Sequence, residues 1–248
     1  MLNLGCVLTL VGNCTAAHVA LKRGLRLFSE QSFRQWEGVT SVYLAERARA
    51  LGDLLQARMW ADRSWELAAF NRFERDFVRA ALIQGKVAFA QGDMPGADGR
   101  LHHALIRARA INAVEFELQA LVAIAELQLT NGNLGQAKTR LDDVWDAADR
   151  GPYPLHKADA YNVLAEIELA EGDKPAAIDA ATKAYKAAWC DGPPYAYHWG
   201  LQKAKAHLAT LGAPEPEMPP FDESKFEPLP EVEINPKNEY WVDPDKLD

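Results

Sequence analysis

"GDKPAAIDAATKAY", residues 172–185, opens on a glycine and an acid, passes a proline and turns alanine-rich. Its first two residues return through the chain at one interval. Gly12-Asn13, Gly52-Asp53, Gly92-Asp93, Gly132-Asn133 and Gly172-Asp173 stand 40 residues apart, and Gly212 extends the series. Five positions after these glycines come Ala17, Ala57, Ala97, Ala137 and Ala177. Thirteen after come Leu25, Trp65, Leu105, Trp145 and Tyr185, and seven before come Gly5, Ala45, Gly85, Ala125 and Ala165. Such offsets trace one stripe of a helix with about 3.6 residues per turn. Each unit therefore reads as a helix A, a turn and a helix B.

The turn explains the glycine and its neighbour. A glycine closes helix A in the left-handed conformation without a Cβ penalty. The Asp or Asn beside it accepts from free amides at the start of helix B. Pro95 and Pro175 fall in the first turn of B, where a missing N–H costs little. The small residues at minus seven and plus five let A and B approach closely. The expected fold is all-α: an α-solenoid of five helical hairpins over residues 1–212, with turns at 12, 52, 92, 132 and 172. A capping helix is expected over about 195–211, after the break at Gly192-Pro193-Pro194, with Lys203, Lys205 and His207 facing outward.

This order of small residue, Gly turn and Ala resembles the tetratricopeptide repeat (TPR). The period of 40 exceeds the usual length of about 34, and no proline closes the units. Long units of this kind look like those of bacterial STAND-type signalling ATPases. HEAT repeats share the length but lack the Gly-Asp joint. The resemblance implies a concave groove lined by helix A residues at 13, 10, 6 and 3 positions before each glycine. Those that form the candidate partner-binding site are Val42, Glu46 and Arg49, then Arg79, Leu82, Lys86 and Phe89, then Gln119 and Glu126, then Asp159, Asn162 and Glu166. The groove reads as basic and apolar early, acidic and apolar late.

Charge follows the same division. Residues 1–112 carry a net +5, residues 113–212 a net −5, and residues 213–248 a net −8. The tail, 213–248, holds eight prolines and eleven acids, punctuated by Phe221, Phe226, Tyr240 and Trp241. It reads as an extended acidic segment that docks on a surface. Three cysteines, an odd number without a C-x-x-C spacing, suit a reduced cytoplasmic setting. No apolar run approaches the ~18 residues that span a bilayer. The apolar start lacks a basic n-region, and Gly12 lies on the lattice, so it reads as a helix rather than a secretory leader.

No catalytic constellation, metal-ligand spacing or cofactor motif emerges. "GNLGQAKT" (132–139) comes close to a phosphate loop, but every repeat carries the same frame, so Lys138 and Thr139 are early helix B residues. The arginines of the first half are interleaved with acids, which argues against nucleic acid as a partner. The expected function is a non-enzymatic interaction module that holds a partner peptide or helix in its groove. Its own acidic tail or an upstream domain are further candidate partners. The alternative is the C-terminal sensor region of a larger signalling ATPase or bacterial defence effector.

Overall fold

The computed structural model describes residues 1–225. The described chain is all-helical and repeat-like, with eleven α-helices packed in sequence and one short 3-10 turn at Glu223–Lys225. The helices are α1 (Leu2–Leu10), α2 (Cys14–Glu30), α3 (Arg34–Ala50), α4 (Leu54–Asn71), α5 (Glu74–Ala90), α6 (Met94–Ala110), α7 (Val114–Thr130), α8 (Leu134–Ala148), α9 (Pro154–Glu171), α10 (Lys174–Trp189) and α11 (His198–Leu211). Each packs on its neighbour in sequence, and each odd helix also touches the next odd one.

The six lattice glycines end the odd helices, all with φ between 68° and 85°. At the second joint the Asp53 amide donates to Ala48 O at 2.9 Å and the Gly52 amide to Arg49 O at 3.0 Å. These are the two bonds of a Schellman motif, which satisfy carbonyls left open at the helix end. Asn13, Asp53, Asp93 and Asp173 then accept from the amide three residues on. Asn133 departs from the set: its Nδ2 donates backward to Gln128 Oε1 at 2.9 Å.

A second lattice lies between the first. Ser32, Arg72 and Asn112, again 40 apart, take φ of 58°, 58° and 53° at the ends of α2, α4 and α6. Ser32 and Asn112 repeat the same pair of closing bonds. From α1 to α7 the left-handed turn therefore recurs about every 20 residues, although at 32, 72 and 112 it is made without glycine.

Close approach within a helix pair depends on side-chain size. A Cβ on Gly5 would meet Leu21 Cγ at 2.5 Å, and one on Gly85 would meet Leu101 Cδ2 at 2.7 Å. Where the position before the turn is Ala45 or Ala165, its counterpart is Ala61 or Ala181. In these four pairs a glycine faces a leucine or an alanine faces an alanine, as dense packing favours, whereas Ala125 with Leu141 is the exception. The largest core lies mid-chain, around Leu101, Leu118, Leu121, Ile124, Leu141 and Ile167.

The array closes on itself. Trp199 Nε1, in the first turn of α11, donates to Thr9 O of α1 at 2.8 Å across 190 residues of sequence. The His198 ring sits where a Cβ on Gly12 would fall. The described part of the tail then returns over α10 and α11. Tyr185 Oη donates to Glu215 Oε2 at 2.9 Å, Trp189 Nε1 to Pro219 O at 2.9 Å, and Phe221 packs on Tyr195 with centroids 4.8 Å apart. Within the described residues the tail touches the array between Glu215 and Phe221, and 226–248, also expected to dock, lies outside the described residues.

Candidate functional site

The positions six before Gly52, Gly92, Gly132 and Gly172, which are Glu46, Lys86, Glu126 and Glu166, form a row across α3, α5, α7 and α9. The helical period turns each of them to the same side of its own helix. In the first half of the row, Lys86 Nζ meets Glu46 Oε1 at 2.8 Å and Gln119 Oε1 at 3.1 Å. Arg49 Nε holds the other Glu46 oxygen at 2.9 Å. Four residues expected to line one surface are thus in direct contact.

The second half uses a cation from elsewhere. Lys203 Nζ of α11 stands 3.0 Å from both Glu126 Oε1 and Glu166 Oε1, and His207 Nε2 lies 3.4 Å from Glu166. Tyr197 Oη donates to Asp159 Oδ2 at 3.2 Å, and fully buried Asn162 donates to Gly200 O at 3.0 Å. This corrects the expectation that Lys203 and His207 face outward. They turn toward the row because α11 lies against α9 and the two acids draw Lys203 in.

The remaining candidates serve packing. Leu82 is a core residue, and Val42 and Phe89 are half-buried against neighbouring alanines. Arg79 Nη1 bonds Asp76 Oδ1 at 3.3 Å and its guanidinium lies over Phe116. The near-phosphate-loop lysine, Lys138, bridges to Glu168 and Glu171 of the next helix. The sequence reading places Lys203 on the outer side of the last helix and assigns Tyr197 and Trp199 to packing of the cap, not to this row. A clue was present: nine before Gly52, Gly92, Gly132 and Gly172 stand Tyr43, Ile83, Ala123 and Val163, and nine before Gly212 stands Lys203. A lysine where the four preceding units carry apolar or aromatic residues has a specific partner.

The two halves differ electrostatically. Burial raises Glu46, but Lys86 and Arg49 outweigh it and hold its carboxyl at about 2. Burial and the nearby Glu126 charge push Asp159 up to about 7, against Lys86, the Tyr197 bond and Lys203. Burial, aided by Lys86, lowers His156 to about 4. Lys203 is raised despite burial, because Glu126 and Glu166 favour its charge. The side chains of the row keep contact with water: Lys86 is 20% exposed and Lys203 38%. Among known proteins, no family model and no curated relative matches this chain.

Proposed function

We propose that the chain is a non-enzymatic TPR-like scaffold of five helical hairpins capped by α11, and that its inner row grips a partner peptide or helix. The observation that carries this reading is the contact of Glu46, Lys86 and Gln119 on three successive odd helices. A partly hydrated surface with mixed charge favours an extended chain with complementary charges. Strained catalytic geometry plays no part in it, and the shifted carboxyls belong to a structural ion network, which perturbs pKa values as active sites do. The test is a photo-crosslinking residue at Gln119, with a control at exposed Lys183 on α10. A protein captured at 119, lost at 183 and lost on Lys86→Glu supports the reading. Equal capture at both positions overturns it.

A second reading is a sensor region of a longer STAND-type protein. It is favoured by the outer side of α1, where Met1, Leu4 and Val7 are exposed together, a face that another domain would cover. An in-frame coding sequence upstream of Met1 supports it, and a stop codon there overturns it.

A further inference from the structure

The second set of turns, which follows the even helices, carries a surface unlike the rest of the array. Phe33, Trp36, Phe70 and Phe73 expose 51%, 47%, 72% and 54% of their areas at the first two of these turns. The equivalent of Phe33 and Phe73 in the next unit is Ala113, which is buried. Grouped exposed aromatics mark docking surfaces, and aromatic rings with arginines are the composition of interface anchors. None of these four rings lines the inner row.

Charge on this edge has a sign. Glu37 is held by Arg34 at 3.0 Å and Arg63 at 2.6 Å, Glu66 by Arg63, Glu74 by Arg107 and Asp76 by Arg79. Arg72 and Arg75, on either side of Phe73, meet no carboxylate among the described residues. The surface thus presents aromatic rings with spare positive charge, and its complement is an acidic segment with spaced apolar anchors.

We propose that this edge is the docking surface for the chain's own segment 226–248. That segment has seven acids against two lysines, with Phe226, Leu229, Val232, Ile234, Tyr240 and Trp241 among them. The preceding stretch already binds the array by the same chemistry. Glu215 is held by Lys205 at 3.1 Å and by Tyr185, and Phe221 lies on Tyr195. Tyr195 belongs to the α10–α11 turn, where Gly192 has φ 86°, so the tail, after leaving α11 at Gly212, runs back to a turn of the same set before residue 226. Twenty-three residues extended reach about 75 Å, three times the ~25 Å length of a 17-residue helix. The docked segment covers the edge and leaves the inner row untouched, so this inference stands or falls independently of the peptide-gripping role.

The test uses the full chain with a benzophenone side chain at position 240, photolysed at low ionic strength and mapped by peptide mass. Crosslinks within one molecule to 32–36 or 69–76 support the proposal. Arg72→Glu with Arg75→Glu should lower their yield roughly fivefold, the scale of one or two exposed charge contacts. The corresponding Lys pair should keep most of it. Phe70→Ser with Phe73→Ser, both well exposed and outside the core, should lower the yield without altering helix content. Crosslinks to other regions, crosslinks joining two chains, or an absence of crosslinks each overturn it.

Discussion

Glu46 and Glu126 occupy the same place in units two repeats apart, yet they are neutralised differently. In the first half, the lattice itself sets Lys86 opposite Glu46, 40 residues away. In the second half it sets Glu166 opposite Glu126, and the shared cation comes from Lys203 of the last helix. Asp159, nearby, is left with Glu126 as its strongest charged neighbour. The early half is self-sufficient, whereas the late half depends on α11. A repeat array can therefore have local ion pairing at one end and a long-range dependence at the other.

The largest effect should come from the carboxyl that the late half leaves unbalanced. Asp159 has a folded pKa of about 7 against an ordinary 3.8, so the folded chain holds its proton more tightly than the unfolded chain. Its stabilising contribution is complete below pH 4 and is lost as pH rises through about 7. The full swing is up to ~4 kcal/mol by linkage. Asp159→Asn keeps an acceptor for Tyr197 and removes the titration. Its stability relative to the parent should climb from pH 4 to pH 8, measured by urea unfolding at each pH. A constant difference across that range would show that Asp159 is not under strain.

Next in size is Lys203→Met, which leaves Glu126 and Glu166 facing one another without their common cation. Breaking a buried pair costs ~3–5 kcal/mol and a surface pair under ~1, so a pair about one-third exposed should cost about 2 kcal/mol. The loss should concentrate in α11, read as faster hydrogen exchange over 198–211 than in α3 or α5. Uniform loss of protection would make α11 an ordinary member of the array rather than a keystone for the late half.

The contrast also separates what the letters reveal from what they hide. The glycine joints were legible because left-handed backbone favours Gly strongly and the Asp or Asn after it has one role. The intervening joints were not, since Ser32, Arg72 and Asn112 reach the same φ without glycine, held by the packing on either side. Glu46, Lys86 and Gln119 are named together only through the resemblance to the tetratricopeptide repeat, and their contact follows from the packing of α3, α5 and α7. Closure of Trp199 on Thr9 was not legible. It depends on how all the intervening helices pack, which no single residue encodes.

The smallest effect, and the sharpest comparison, belongs to Lys86→Met. Glu46 keeps Arg49 at 2.9 Å, so about 1 kcal/mol should be lost at neutral pH, half the cost of removing Lys203. The acid limb carries more information. Glu46 lies at about 2 in the folded chain, below its ordinary 4.5, so its contribution is present above pH 4.5 and lost as pH falls through 2. Without Lys86 its pKa rises, and acid unfolding should begin at higher pH. Lys86 also holds Asp159 down and His156 down. Its removal should therefore raise both, moving the alkaline limb of the Asp159 titration upward and returning His156 toward 6.5. NMR titration of His156 reads the second shift directly. If the acid limb moves while His156 stays near 4, Lys86 acts on its own half alone, and the two halves are electrostatically separate.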